Sequence, residues 1–364
     1  MGSLAQLKQQ IAREFGTPAV VIDLDRVEAN INRVQALCDK AGVANRPHIK
    51  THKIPALAAL QIAAGACGIT CQKLGEAEIM FDGGLEQTSI LISYNLIGEA
   101  RAARLAALLR RSADMAVCAD NPVTLETYAS AGQLAGRRVP VVIECDTGRK
   151  RAGVETAREA VQLAKAIKDN DHLSFGGFLF YPTEQSWPET QKFHDEAVAG
   201  IRDLGLVPAI VSTGGSPNLV NMGKLRGATE HRAGTYIFND RMQMAAGVAT
   251  LDDCALAVFA TVVSRAGAER GIVDAGSKTL TSDVGGLDGH GLILEHPQAR
   301  IKGFAEEHGF LDLAGVNDKP SVGDVVRIVP NHVCVVVNMV DQLIAVRNNE
   351  IVGVMPVAAR GKLV

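Results

Sequence analysis

The sequence predicts an α/β fold, a (β/α)8 TIM barrel followed by a C-terminal all-β domain. From Val43 to about Phe238, short β-rich runs alternate with alanine-rich helical stretches, which is typical of βα units around a parallel sheet. After about Ala246 the helical periodicity largely disappears, and β-branched runs are joined by Gly, Asp and Asn turns. We therefore expect a barrel over residues 26–245 and a β domain over residues 246–364.

A strand and a helix precede the barrel. The run "PAVVIDL" (18–24) reads as a strand outside the barrel count. The following helix is predicted to begin with Asp25 as its N-cap and to stop at Gly42. Its apolar residues recur at helical spacing: Val27, Ile31, Val34 and Leu37.

Eight β-rich runs, enough for a complete barrel, follow in roughly 200 residues. They lie at 43–50, 67–73, 89–95, 114–120, 139–146, 173–181, 208–213 and 231–238. In the C-terminal region, "RNNE" (347–350) between two apolar runs predicts a β-hairpin.

The composition narrows the class of function. A net charge of −3 without long runs of one sign does not indicate a basic surface for nucleic acid or for an anionic membrane. We therefore expect a small-molecule substrate. No apolar stretch has the length of a signal-peptide core or a membrane span. Seven cysteines without CxxC pairs suit a reducing compartment, and a cytoplasmic protein is predicted.

The segment "RPHIKTHK" (46–53) is the first candidate site. If Lys50 closes the first barrel strand, its amine projects into the mouth where barrel active sites lie, although a solvated lysine is the commoner case. His48, two residues earlier, shares that face of the strand. Lys53 lies past the strand and is expected to be solvated, whereas alternation does not predict the direction of His52.

The second candidate site is "STGGSPN" (212–218), at the end of the seventh predicted strand. Gly214 and Gly215 allow backbone N–H groups to approach an anion, and barrels often bind phosphate after strands seven and eight. Gly234 and Thr235 of the eighth strand could supply the other half of this cradle. A lysine opposite a phosphate cradle describes a site for pyridoxal 5′-phosphate (PLP), whose aldehyde reacts with a lysine amine.

The third candidate site is "NHVCVVVN" (331–338). On a strand, His332 and Cys334 at i and i+2 face the same way, and imidazole and thiolate can share one borderline-soft metal ion. The alternative is a pair of ordinary buried strand residues.

These motifs together resemble the fold-type III PLP enzymes with an alanine racemase-like barrel, and within them the D-threonine aldolase and D-serine dehydratase family. The resemblance covers nearly the whole chain. The matching segments, in family order, are "TPAVVIDLDRVEANI", "RPHIKTHK", "GITCQKLGEAE", "ECDTGRKRAGV", "STGGS", "EHRAGTYIFND", "VDAGSK", "EEHG" and "ARGK".

The resemblance implies a role for each matching residue. Lys50 would form the Schiff base with PLP, Arg151 would lie near the phenolate oxygen, and Tyr181 would line the ring. Gln72 and His48 would lie near the cofactor. The phosphate would be surrounded by Thr213, Gly214, Gly215, Gly234, Thr235 and Tyr236. His332 and Cys334 would bind a divalent metal (Mn, Mg or Zn) that contacts the substrate's β-hydroxyl. Residues 1–25 would join the β domain, and the protein would be a homodimer.

The implied reaction is retro-aldol cleavage of 3-hydroxy-D-amino acids to glycine and an aldehyde. The alternative is a D-serine or 3-hydroxy-D-amino acid dehydratase, which gives a keto acid and ammonia. Two departures from the aldolase pattern keep both open: the pair is His-x-Cys and not His-x-Asp, and Pro182 stands where the aldolases carry a His after the tyrosine.

Two further classes are disfavoured. A racemase needs a second acid or base, commonly a tyrosine, and the C-terminal domain contains no tyrosine. A non-catalytic PLP carrier is usually a barrel without an appended domain.

Overall fold

The structure of the chain, a computed structural model, describes residues 2–112 and 114–364. They form two compact units. The barrel unit comprises residues 33–50, 55–234 and 362–364, and the β unit comprises the residues up to Asn32, residues 51–54 and residues 235–361. The chain therefore enters the β unit directly after two residues of the predicted site, Lys50 and Gly234.

Strands β1 to β17 follow in chain order. They are β1 (Ala19–Asp23), β2 (Ala44–Asn45), β3 (Ile69–Cys71), β4 (Ile90–Ile92), β5 (Met115–Ala119), β6 (Val139–Cys145), β7 (Leu173–Phe180), β8 (Ile210–Gly214), β9 (Glu230–Arg232), β10 (Leu256–Ser264), β11 (Arg270–Val273), β12 (Leu292–Ile293), β13 (Arg300–Phe304), β14 (Gly309–Asp312), β15 (Val325–Val329), β16 (Gln342–Arg347) and β17 (Glu350–Pro356).

The α-helices are numbered in the same way. They are α1 (Leu4–Glu14), α2 (Leu24–Ala41), α3 (Pro55–Ala63), α4 (Leu74–Asp82), α5 (Glu99–Arg111), α6 (Pro122–Ala135), α7 (Ala157–Lys168), α8 (Trp187–Arg202), α9 (Arg241–Ala245), α10 (Ser277–Leu280) and α11 (Val333–Met339). Shorter 3-10 segments occupy Ile49–Thr51, Ser216–Lys224, Thr235–Ile237 and Leu251–Asp253. Among the described helices, none is long and apolar enough to cross a membrane.

The barrel unit contains a closed parallel sheet. Its strand order is β2-β9-β8-β7-β6-β5-β4-β3, and every pair in it is parallel. A parallel bridge between His48 and Thr70 joins the segment after β2 to β3 and closes the sheet. The predicted TIM barrel is confirmed, with a helix after most strands.

Alternation along the barrel strands separates two apolar layers. In β4, Ile90 and Ile92 pack in the large cluster that contains the surrounding helices, whereas Leu91 belongs to a smaller cluster with Cys118 and Val142. Successive strand side chains point to opposite faces, and here both faces are buried. This is why the strands read as continuous apolar runs.

The β unit is built on a mostly antiparallel sheet. β1 pairs antiparallel with β10 and parallel with β16, so the strand before the barrel lies in this sheet. Leu7 and Ile11 of α1 pack against Val21 and its neighbours. The predicted hairpin is confirmed, because Asn348 and Asn349 join β16 to β17 with φ angles of 50° and 60°, which the two-residue type I′ turn requires.

Some local predictions were wrong. Asp25 is not the cap of α2, because Asp23 Oδ1 accepts hydrogen bonds from the N–H groups of Asp25 and Arg26. Gly42 does end the helix, with φ of 68°. The eighth barrel strand ends at Arg232, and Gly234 leads directly into a helical turn instead of a longer strand.

Candidate cofactor and metal site

Lys50 lies just beyond the first barrel strand. Pairing with the eighth strand continues to His48, whose N–H donates to the carbonyl of Ala233 at 2.8 Å. The chain then turns into the 3-10 segment Ile49–Thr51. The prediction that Lys50 closes the strand was therefore wrong in detail, because the strand ends at Asn45 and its pairing at His48.

His48 is held as a neutral imidazole. Its Nε2 atom lies 3.0 Å from Oε1 of Gln72, and its Nδ1 atom accepts the backbone N–H of Lys50 at 3.4 Å. Burial, then the positive charges of Lys50 and Arg232, hold the pKa of His48 well below its usual range. A neutral ring with Nε2 as donor satisfies both hydrogen bonds, and it presents a flat apolar face suited to stacking on a heteroaromatic cofactor.

Tyr181 follows the end of β7, and two arginine side chains contact its ring. The guanidinium carbons of Arg149 and Arg151 lie 4.5 and 5.0 Å from its ring centroid, within the range of a cation–π contact. Arg151 also pairs with Glu144 at 3.4 Å, and burial raises the pKa of that carboxyl. The side chain of Arg151 is more than half exposed, so it can also contact a bound ligand.

Gly214 ends β8 and Gly215 follows it, and neither position has room for a side chain. A Cβ atom on Gly215 would lie 2.8 Å from Cε2 of Tyr181, and one on Gly214 would lie 2.9 Å from the carbonyl oxygen of Arg232. Only glycine fits both positions. The 3-10 segment Ser216–Lys224 begins directly afterwards, and the first N–H groups of a helical segment favour an anion.

The hydroxyl-bearing residues around these glycines are fixed by buried partners. The Oγ1 atom of Thr213 lies 2.9 Å from Nδ1 of His231, and Nε2 of the same ring lies 3.3 Å from the carbonyl oxygen of Gly215. Ser216 Oγ accepts the N–H of Gly234 at 3.3 Å. The predicted residues Thr213, Gly214, Gly215 and Gly234 are thus brought together in the barrel unit.

Thr235 and Tyr236 begin the last chain segment of the β unit, on the helical turn Thr235–Ile237. Tyr236 is completely buried, and Thr235 Oγ1 lies 3.7 Å from the sulfur of Cys334. These two residues therefore lie on the same unit as the predicted metal ligands.

His332 is oriented by a buried carboxylate. Its Nδ1 atom lies 3.0 Å from Oδ2 of Asp240, and Asp240 also accepts the N–H of Val333 at 3.0 Å. Burial opposes protonation of His332, but hydrogen bonds and charges of Cys334 and Asp240 outweigh it and raise the pKa of His332 to about 11. A carboxylate behind a histidine is the usual support of a metal-binding imidazole.

The prediction that His332 and Cys334 share a strand face was wrong. His332 is the N-cap of helix α11, and Cys334 lies in its first turn. The valines are buried at helical spacing, at Val333, Val336 and Val337. A short β-branched run fits either structure when periodicity is the only guide. The two side chains nevertheless meet in the helical arrangement, and their hydrogen bond is one of the interactions that raise the pKa of His332 against the effect of burial.

The donor pair suits a metal ion that keeps open coordination positions. Over residues 2–112 and 114–364, no group of three or more His, Cys, Asp or Glu side chains could hold a metal. A metal here would rest on one imidazole nitrogen and one sulfur. Two protein donors leave several positions for substrate and water, as catalytic metal sites require.

Several functional candidates were not found from the sequence. Asp240 supports His332, and Arg232, buried at the end of β9, donates to Ser212 Oγ and to the carbonyl of Phe180. His52 is completely buried, with Nδ1 accepting the N–H of Ile54. Lys53, expected to be solvated, is 4% exposed. For Arg232, the signal available in the sequence was a charged residue two positions before Gly234.

The fold and the site together define a PLP-dependent enzyme built on an alanine racemase-like barrel. The family model "Alanine racemase, N-terminal domain" matches residues 22–242, and the model "Putative serine dehydratase domain" matches residues 255–346. The chain belongs to the D-threonine aldolase and D-serine dehydratase family of fold-type III PLP enzymes.

Characterised relatives cover nearly the whole chain. The D-threonine aldolase of Arthrobacter sp. is 32% identical over 98% of this chain and 96% of its own length. The D-threo-3-hydroxyaspartate dehydratase of Delftia sp. (strain HT23) is 34% identical over 87% of this chain and 90% of its own. The crystal structure of D-threonine aldolase from Filomicrobium marinum superposes with a TM-score of 0.88 at 32% identity, covering 96% of each chain.

Proposed function

We propose that this chain is a PLP- and divalent-metal-dependent lyase of 3-hydroxy-D-amino acids that cleaves them to glycine and an aldehyde. The observation that carries the proposal is the turn Ile49–Thr51. It holds Lys50, the candidate cofactor lysine, next to Thr51, whose hydroxyl lies 3.1 Å from the sulfur of the candidate metal ligand Cys334.

PLP fits the barrel residues. The glycine pair has no room for side chains, the imidazole of His48 is neutral, and Arg151 can reach a ligand oxygen. Lys50 would hold the cofactor covalently, and Thr213, Gly214, Gly215, Gly234, Thr235 and Tyr236 would bind its phosphate. Gln72 would fix the His48 ring, and Tyr181 would border the cofactor.

A divalent metal fits the donors of His332 and Cys334. When bound, PLP would supply an electron sink for charge at the substrate's Cα, and the metal would supply a Lewis acid at the β-hydroxyl oxygen. The chain's own part is to hold and move protons. Cleavage to glycine and an aldehyde moves one proton from the β-hydroxyl to Cα, and the Lys50 amine would carry the proton that is delivered to Cα. Asp240 keeps the His332 ring turned with Nδ1 towards the carboxylate.

Dehydration is the second candidate, and Cys334 and Pro182 favour it. A thiolate in place of a carboxylate ligand matches the dehydratase pattern, and no histidine follows Tyr181 to act as a base. Elimination would need Lys50 to take the Cα proton, with loss of the β-hydroxyl. Both reactions use the same substrate class and the same residues.

One incubation separates the two reactions. The purified protein, with PLP and Mn²⁺, is mixed with D-threonine, and the products are analysed by chromatography. Acetaldehyde and glycine establish the aldolase, whereas 2-oxobutanoate and ammonia establish the dehydratase. D-threo-3-hydroxyaspartate and D-serine serve as further substrates. Turnover of L-threonine in preference to D-threonine would contradict the stereochemical proposal.

The proposal includes a homodimer in the cytoplasm and a metal chosen from Mn, Mg and Zn. All seven cysteines are free thiols, which supports a reducing compartment. The sulfur donor supports Zn over the harder ions. Light scattering of the purified protein tests the dimer, and elemental analysis of protein purified without chelator tests the metal.

A further inference from the structure

Two threonine hydroxyls converge on the sulfur of Cys334. The Oγ1 atom of Thr51 lies 3.1 Å from Sγ, and the Oγ1 atom of Thr235 lies 3.7 Å from it. Thr51 is completely buried and Thr235 is 9% exposed. Both distances lie within the range of hydrogen bonds to sulfur, which is larger and softer than oxygen.

The two threonines occupy equivalent positions in the chain, at the two points where it leaves the barrel unit. Thr51 and Thr235 are the first residues of the β unit after the chain leaves the barrel unit at Lys50 and at Gly234. Each therefore follows directly a residue that we assign to the cofactor. The sulfur of Cys334 is thus hydrogen-bonded to both segments that carry the chain away from those cofactor residues.

The direction of the hydrogen bonds follows from the chemistry of the ligand. A cysteine that binds a metal is a thiolate and has no proton to give, so each threonine hydroxyl must donate. Because the Thr235 hydroxyl has a single proton, its part in the phosphate site would fall to its backbone N–H. A donated hydrogen bond removes charge from the sulfur and restricts its direction. Outer hydrogen bonds of this kind commonly change metal affinity by 10–100-fold.

We propose that Thr51 and Thr235 are positioning residues for the metal-binding thiolate, with Thr51 the stronger donor because it lies closer. This inference rests on the proposed metal site at His332 and Cys334. The threonines orient the sulfur and lower its charge donation, which keeps the bound metal a stronger Lewis acid than an unsupported thiolate would allow.

Cobalt substitution tests the inference apart from catalysis. The full-length holoprotein is stripped with EDTA and loaded with Co²⁺, and the difference spectrum between the two states removes the PLP absorbance. A thiolate-to-Co²⁺ charge-transfer band is expected in the unaltered protein and should be absent in Cys334→Ala. In Thr51→Val, which keeps the shape but removes the hydroxyl, the band should move to longer wavelength, because the sulfur electrons are less stabilised.

Matched variants complete the design. Thr51→Val should bind Co²⁺ roughly tenfold more weakly, and Thr51→Ser, which keeps a hydroxyl, should restore both the band position and the affinity. Thr235→Val should give a smaller shift in the same direction. Thermal unfolding shows whether each variant is folded. If Thr51→Val does not fold, Thr235→Val decides: a shifted Co²⁺ charge-transfer band supports the inference, and an unmoved band overturns it.

The outcomes separate the two proposals. An unmoved band and unchanged affinity in folded Thr51→Val overturn the role of the threonines, while a band that depends on Cys334 leaves the metal site intact. If the unaltered protein shows no thiolate band with Co²⁺, both the metal site and the role of the threonines are overturned, whatever the products of D-threonine turnover.

Discussion

The Nδ1 atom of His332 lies 3.0 Å from Oδ2 of Asp240, a carboxylate that is completely buried. Asp240 also caps helix α9, since Oδ1 accepts the N–H of Gln243 at 2.9 Å. One side chain thus starts a helix and sets the direction of an imidazole 92 positions later. Because the bond to Asp240 occupies Nδ1, Nε2 is the nitrogen left for a metal.

We expect Asp240→Asn to weaken metal binding by about 10–100-fold, because an amide keeps the size of the side chain but does not supply the charge behind His332. The affinity is measured by competition with a chromogenic chelator. Asp252→Asn in the same unit is the control, since Asp252 is 98% exposed and should leave the affinity unchanged. Equal affinities in the two variants would contradict the role of Asp240.

Lys50→Ala should abolish the absorbance band of lysine-bound PLP and all turnover of D-threonine, because the variant has no amine at the cofactor. Borohydride reduction of the unaltered protein followed by peptide mass spectrometry should find the pyridoxyl group on Lys50. Lys192→Ala is the control, because this helix lysine is 78% exposed. A band that survives in Lys50→Ala would remove Lys50 from the cofactor site.

Gly215→Ala should weaken PLP binding by roughly tenfold or more, equivalent to about 1.4 kcal/mol. The new Cβ would lie 2.8 Å from Cε2 of Tyr181 and displace the ring or the cradle backbone. Gly223→Ala is a matched control on the segment that follows, because its Cβ would meet its nearest neighbour, the Cβ of Ala41, at 3.8 Å. Equilibrium dialysis gives both dissociation constants, and equal values would argue against the cradle.

Stability should fall in acid through His231. Burial, and to a smaller extent the positive charge of Arg232, lowers the pKa of His231 from 6.5 to about 3. Between these values the unfolded chain binds a proton that the folded chain does not, so stability is complete above pH 6.5 and decreases as the pH falls towards 3.

The non-titrating variant His231→Gln isolates this contribution. Between pH 7 and pH 5, the free energy of unfolding measured in urea should decrease in this variant by up to about 2 kcal/mol less than in the unaltered protein. His48, which is also held neutral, is present in both proteins and cancels in the comparison. Parallel pH curves for the two proteins would show that His231 does not titrate on unfolding.

Much of the fold followed from the sequence because its signals are local. The barrel strands are buried on both faces and read as apolar runs, and the two asparagines at 348 and 349 tolerate the positive φ of a tight turn. The ends of elements were less predictable. Asp23 and Asp25 are both good caps, and the choice between them depends on where β1 stops pairing with β10.

The sequence by itself determined the chemical groups of the site: a lysine in a basic segment, a glycine pair after a late strand, and a His-x-Cys pair. Their order along the chain also indicated the family. Their geometry required the tertiary structure. The valine run around Cys334 satisfies a strand or a helix equally well, and its burial at helical spacing depends on what packs against it.

Only the tertiary structure decided which side chains support the reactive ones. Asp240 reaches His332 across 92 positions, and Thr51 reaches Cys334 across 283. Such contacts leave no periodic pattern, because each depends on how two distant segments pack together and not on either segment alone. The sequence thus names the reactive groups, while folding determines the charges and hydrogen bonds that set their chemistry.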